Sequence, residues 1–175
     1  MTESIKGMLH VYTGDGKGKT TAALGLALRA VGAGAKVFIG QFVKGMEYGE
    51  LNAIAKHFPD MVLKQYGRDC FINNLPESED ISLARTGLEE IRKILVSGEY
   101  QIVVLDEANI ATYFALFSVE ELISAVRNRN PGVDVVITGR KADAKLIEEA
   151  DLVTEMKEIR HYYINGIEAR QGIEY

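Results

Sequence analysis

The run Val11-Tyr-Thr-Gly-Asp-Gly-Lys-Gly-Lys-Thr-Thr-Ala22 constrains this chain more than any other stretch. A β-type segment leads into three closely spaced glycines, then Lys19 and Thr20, then apolar residues that favour a helix. Gly14, Gly16 and Gly18 allow φ values that other residues resist. Successive backbone N–H groups, from Gly14 and Asp15 through Lys17 to Thr20 and Thr21, are therefore expected to converge on phosphate oxygens at a helix N-terminus. Lys19, expected on an exposed loop, would neutralise the outer phosphates, and the Thr20 hydroxyl would sit on Mg²⁺. The general pattern G-x-x-x-x-G-K-[ST] has glycine at its first position, where this chain has Thr13.

The chain has 175 residues, of which 47% are hydrophobic, enough for one domain over 1–175 with a sizeable core. Its net charge of −5, from 25 acidic and 20 basic residues, offers no general basic field for nucleic acid. The single cysteine, Cys70, excludes an intrachain disulfide. The N-terminal stretch Met1-Thr-Glu-Ser-Ile-Lys-Gly7 lacks the apolar core of a signal peptide, and no apolar run approaches the roughly 20 residues that cross a bilayer. A reducing cytoplasm is the expected location, with no membrane partner.

Short apolar runs read as strands at about Leu9–Thr13, Lys36–Phe42, Met61–Gln65, Gln101–Leu105, Asp134–Thr138 and Leu152–Thr154, with helical patterns between them. This alternation predicts an α/β fold, a mostly parallel sheet of about six strands flanked by helices. Val103-Val-Leu105 and Val135-Val-Ile137 do not alternate with polar residues, which predicts central strands buried on both faces. Ile81, Ala84, Leu88, Ile91 and Leu95 mark the apolar face of a helix from about Ser78 to Ser97, stopped by Gly98. Ser118 with Glu121 forms a capping box for a helix whose Leu122, Ile123 and Val126 are expected to face inward. Between Tyr66 and Glu77 no element is clear, and a loop of that length in a compact domain is often functional.

Val103-Val-Leu-Asp-Glu107 has the form of a second nucleotide-site motif, an apolar strand delivering carboxylates to a metal beside a triphosphate. An acid pair after a strand is by itself an ordinary solvated turn. Beside a phosphate loop, Asp106 and Glu107 become the expected metal-side carboxylates, because Mg²⁺ takes hard oxygen ligands, and which of the two binds it stays open. Arg140, in Thr138-Gly-Arg140, falls at the carboxyl edge of the next buried strand, where ligands of open α/β sheets bind. It reads equally as a phosphate or substrate contact and as a surface ion pair. Lys44 in Gln41-Phe-Val-Lys-Gly45 occupies the same edge, either approaching an anionic group or snorkelling at the surface. His10, His57 and His161 show no ligand spacing, and Cys70 has no activating context, so it is read as a spectator thiol.

These residues resemble the ATP:corrinoid adenosyltransferases that make adenosylcobalamin, the cob(I)yrinic acid a,c-diamide or cob(I)alamin adenosyltransferases of the phosphate-loop type. The resemblance spans nearly the whole chain. It rests on Thr13-Gly-Asp-Gly-Lys-Gly-Lys-Thr-Thr-Ala-Ala23, whose leading Thr is the family's own variant, and on Arg29-Ala-Val-Gly32, Gln41-Phe-Val-Lys-Gly45, Gly49-Glu50 and Val103-Val-Leu-Asp-Glu107. It continues through Val136-Ile-Thr-Gly-Arg140, Ala150-Asp-Leu-Val-Thr-Glu155 and the closing Ala169-Arg-Gln-Gly-Ile-Glu-Tyr175. The resemblance implies a RecA-like P-loop fold and a reaction in which Co(I) of the corrinoid attacks C5′ of ATP and releases triphosphate. No side chain is then the nucleophile. The protein holds C5′ and cobalt in line and stabilises charge on the leaving triphosphate. Lys19, Glu107 and Asp106 carry over as catalytic residues, with Thr20 and Glu107 on the metal side and Asp106 nearby. The resemblance also implies ATP as co-substrate, Mg²⁺, a homodimer, and an electron donor such as a reduced flavoprotein.

One departure concerns the corrinoid. Members of the family carry Phe-Thr-Trp after the glycine that matches Gly67, aromatics thought to exclude the lower axial ligand of cobalt. Here Arg68, Asp69 and Cys70 stand there, followed by Phe71, which is expected to do part of that work from a shifted position. The short stretch before the first strand further suggests that a corrinoid-covering N-terminal segment is absent. Two other functions fit the residues: a phosphate-loop ATPase or kinase that releases ADP, with Glu107 orienting water or an acceptor hydroxyl, and a nucleotide-dependent corrinoid-binding protein without turnover.

Overall fold

The structure, a computed structural model, describes residues 6–46, 48–69 and 75–175. Its strands are β1 Leu9–Thr13, β2 Val37–Phe42, β3 Met61–Tyr66, β4 Ile102–Asp106, β5 Asp134–Thr138 and β6 Leu152–Glu155. The helices are α1 Lys19–Gly32, α2 Gly49–His57, α3 Ser78–Ser97, α4 Ala108–Tyr113, α5 Val119–Arg127 and α6 Ala144–Glu149, followed by a 3-10 turn at Tyr162–Asn165. The strands form one sheet in the order β3-β2-β4-β5-β1-β6, parallel throughout. The α/β architecture with about six parallel strands is thus the one the alternating pattern predicts, and β4 and β5 are central.

The unbroken apolar runs have a direct consequence in the packing. Along β4, Val103 and Leu105 join one apolar cluster with α3 and α5, while Ile102 and Val104 join a second with α1 and α2. In β5, Val135 and Ile137 face the first cluster and Val136 the second. Period-two geometry divides each strand between two cores, so both faces require apolar residues. Leu122 and Val126 of α5 are buried in the first cluster, whereas Ile123 is only half-buried at its margin. Helix α3 ends as expected, at Gly98 with φ +66°. It also starts as expected, at Ser78, but the cap that starts it was not legible. Glu77 caps it, accepting from the Asp80 backbone while the Asp80 side chain accepts from Glu77 N–H.

Because all strands are parallel, their carboxyl ends share one edge, and the loops after β1, β2, β4 and β5 meet there. β5 lies between the strand that carries the phosphate loop and the strand that ends in the two acids. Among the described residues no helix is long and apolar enough to cross a membrane.

Gly87 shows how closely α3 lies on the sheet: a Cβ there would come within 2.4 Å of Tyr66 Cγ, and Tyr66 is further held by its hydroxyl, which donates to Glu90 at 3.0 Å. Gly87→Ala is expected to destabilise the protein by about 1–2 kcal/mol, overpacking outweighing the better helix propensity of Ala. Urea denaturation measures this, and a midpoint at or above that of the wild type would refute the tight contact.

Candidate active site

The phosphate loop runs from the end of β1 into α1. Gly14 has φ +90° and Gly18, the N-cap of α1, has φ +118°, both in the region that favours glycine. A Cβ on Gly14 would lie 2.5 Å from the Met156 carbonyl oxygen, and one on Gly16 would lie 2.7 Å from it. The glycines therefore admit the backbone after β6 as well as shaping the loop. Gly16 N–H donates to Met156 O at 2.7 Å, so in this structure the amide is engaged by the backbone after β6. Lys19 is not on an exposed surface either: it is 7% exposed, and its ammonium donates to Gly14 O and Gly16 O, both at 2.7 Å. Burial pushes its pKa down from the usual lysine range, partly offset by Glu107.

β4 delivers Asp106 to the foot of this loop. The carboxylate is 1% exposed and collects four donors from four segments. Oδ1 accepts from Thr20 Oγ1 at 2.8 Å and from Thr138 Oγ1 at 2.6 Å. Oδ2 accepts from Lys44 Nζ at 2.8 Å and from Gln41 Nε2 at 3.1 Å. The anionic group that Lys44 approaches is thus the protein's own Asp106. Gln41 also donates to Glu50 in the first turn of α2, at 3.1 Å.

Glu107 follows at φ +58°, a left-handed conformation for a non-glycine residue. Its N–H donates to Thr138 Oγ1 at 3.0 Å, so one hydroxyl anchors both acids, accepting from the backbone of Glu107 and donating to the side chain of Asp106. No hydrogen bond reaches the Glu107 carboxylate from the described residues. Its burial, and then the Asp106 charge, hold its pKa above the usual carboxylate range. Among the described residues no three His, Cys, Asp or Glu side chains converge into a self-sufficient metal site. Thr20, Asp106 and Glu107 supply hard oxygens in the small number suited to a Mg²⁺ ion that is shared with phosphate oxygens and water.

Arg140 is exposed on the loop after β5, near enough for its charge to influence Lys19 and Glu107. Asp15 and Lys17 are exposed on the phosphate loop, and Thr21 is exposed in the first turn of α1. Lys17 is turned toward the C-terminal residues, donating to Ile173 O at 2.9 Å and lying 3.5 Å from Glu174. Gln41, Thr138 and Glu50 were not singled out for roles by sequence reasoning. The available signal was a polar residue, Gln41, at the end of a strand buried along its whole length. Asn109 also belongs here: fully buried, it donates to Gly139 O at 2.9 Å and fixes the turn that carries Arg140. Cys70 and Phe71 lie outside the described residues. Just before them, Arg68 clamps Asp80 through two hydrogen bonds of 2.7 and 2.8 Å and pairs with Glu77 at 2.9 Å.

Residues 5–175 match the family described as ATP:corrinoid adenosyltransferase BtuR/CobO/CobP. A corrinoid adenosyltransferase of Sinorhizobium sp is 37% identical over 173 residues, covering 97% of this chain and 81% of the relative. Those of Pseudomonas aeruginosa and Escherichia coli K12 are each 34% identical over 171 residues, with 97% of this chain covered and 84% and 86% of the relatives.

The Arg68 clamp generates a pH dependence. Hydrogen bonds from Arg68 hold the Asp80 carboxyl below the usual aspartate range. With the folded pKa below the unfolded value of about 3.9, the stabilisation is complete above that value and disappears as the pH falls through the folded pKa. Arg68→Met is expected to cost about 2 kcal/mol at pH 7. The gap to wild type should be smaller at about pH 3, below the unfolded value. Urea denaturation at both pH values tests this, and a gap that persists unchanged in acid would refute it.

Proposed function

On the premise that this chain belongs to the ATP:corrinoid adenosyltransferase family, we propose that it transfers the 5′-deoxyadenosyl group of ATP to Co(I) of a corrinoid, with release of triphosphate. The electron pair of Co(I) forms the Co–C5′ bond while the bond from C5′ to the triphosphate oxygen breaks, and the triphosphate leaves with the electrons of that C5′–O bond. The observation that carries this reading is the meeting of the Thr20 hydroxyl with Asp106 at 2.8 Å, which unites the phosphate loop and the acid pair at one sheet edge.

The charge that builds up on the leaving triphosphate sets the work of the side chains. Backbone N–H groups at the start of α1, together with the positive end of that helix, face developing negative charge. Lys19 supplies an ammonium beside the same loop, and Arg140 a second cation at the edge. Thr20, Glu107 and nearby Asp106 would hold Mg²⁺, which when bound neutralises phosphate oxygens and fixes their orientation. Thr138 and Gln41 hold the Asp106 carboxylate in position. Phe71 is our proposed contact for the corrinoid. A homodimer is the assembly we propose, supported by apolar side chains left exposed beyond β6, among them Ile159, Tyr163 and Ile164. A reduced flavoprotein is the electron donor we propose, because the attacking cobalt has to be Co(I).

Anaerobic incubation with Mg-ATP and chemically reduced cobalamin should give adenosylcobalamin and triphosphate in equal amounts. ADP and phosphate without alkylated corrinoid would overturn the assignment in favour of a hydrolase or kinase. Lys19→Ala should lower the transfer rate by about 10²–10³, the usual effect of deleting one donor to a developing anion. Circular dichroism should show an intact fold, since the Lys19 ammonium contacts the loop rather than the apolar clusters. Wild-type turnover in Lys19→Ala would refute the phosphate-loop role.

A further inference from the structure

We propose that in the nucleotide-free protein the Lys44 ammonium stands in for the divalent cation, so that metal is admitted together with the nucleotide and not before it. The inference rests on the reading that the phosphate loop takes a metal–nucleotide complex. Two oxygens that would face such a metal, Asp106 Oδ2 and Thr20 Oγ1, lie 2.8 and 3.4 Å from Lys44 Nζ. Lys19, the other ammonium of the site, is bound to loop carbonyls, so the charge on buried Asp106 is met at contact distance by Lys44. Two cations cannot share one carboxylate oxygen at that range without strong repulsion.

The backbone beside Lys44 has the character of a sprung element. Val43, a β-branched residue, is held at φ +56°, a conformation that costs energy and persists only where surroundings impose it. The imposing contacts are close. A Cβ on Gly45 would lie 2.4 Å from Gly67 O, and one on Gly67 would lie 2.5 Å from Lys44 N, so the turn after β2 is wedged against the segment after β3. A second attraction is in reach for the displaced ammonium, since the Tyr48 ring centroid is 5.2 Å from Nζ. The Lys44–Asp106 pair therefore both stabilises the empty site and taxes the binding of a bare cation.

Mn²⁺ reports the exchange by electron paramagnetic resonance. If Lys44 occupies the position most of the time, Lys44→Met should bind Mn²⁺ alone about tenfold tighter than wild type, because the competing state is removed. Lys44→Arg, which keeps the cation, should not show this gain. The advantage that ATP gives to Mn²⁺ binding should shrink in Lys44→Met. Unchanged affinity for bare Mn²⁺ in Lys44→Met, with Mn²⁺–ATP still bound, would overturn the exchange and leave the nucleotide reading standing. Failure of wild type to bind Mn²⁺–ATP would overturn both. A measurement without a variant uses the ¹⁵N signal of the Lys44 ammonium, protected by Asp106 in the free protein. Its loss on adding Mg-ATP supports the exchange, and its persistence unshifted refutes it.

Discussion

A single buried carboxylate organises this molecule. Asp106 is 1% exposed and is held by Thr20 of α1, Gln41 of β2, Lys44 of the following turn and Thr138 of β5. An ionised group so far from solvent is tolerated only when its lone pairs are filled by well-placed donors. Filling them fixes the lateral positions of the segments that supply them. The same bonds bring the phosphate loop, the acid pair and the edge of β2 into one place. The structural requirement of the carboxylate and the assembly of the site are one requirement.

Glycine serves the site in a second way, by allowing backbones to approach. Gly14 and Gly16 make room for the strand end at Met156, Gly45 and Gly67 for each other's turns, and Gly139 for Asn109 and Glu107. Each approach brings polar main-chain groups together at the sheet edge, where side chains of ordinary size would hold them apart. Two of the non-glycine residues with positive φ, Val43 and Glu107, sit beside the same contacts. These two strained positions lie next in sequence to Lys44 and Asp106, whose side chains pair at the site.

What could be read from the sequence was local in origin. The strands followed from unbroken apolar runs, α3 from a helical spacing that ends in a glycine, and the phosphate loop from glycines that precede Lys19 and Thr20. Residues whose roles depend on distant partners were not legible. Nothing in Gln41-Phe-Val-Lys-Gly45 indicates that Gln41 and Lys44 converge on an acid more than sixty residues onward, because that meeting depends on β2 pairing with β4. Thr138 likewise becomes informative only when β5 lies beside β4. Glu77 and Asp80 escaped notice as a cap because the acids lack the familiar Ser or Thr at the first position, and because Asp80 is shared with Arg68. The burial of Lys19 came from its folding back on Gly14 and Gly16, a geometry that a motif does not encode.

The position of β1 in the sheet has a further consequence, for the order in which the molecule is completed. β1 pairs with β5 on one side and β6 on the other, so its neighbours are residues 134–138 and 152–155. A chain growing from its amino end makes this strand first and leaves it without a sheet partner until most of the sequence exists. The β2, β3 and β4 strands pair among themselves earlier and offer an edge on which β5 can add. Such long-range closure is slow because loop entropy is lost before the contacts are gained. The strand that holds the phosphate loop is thus synthesised among the first and seated among the last, so ligand-binding competence arrives only with the closing of the sheet.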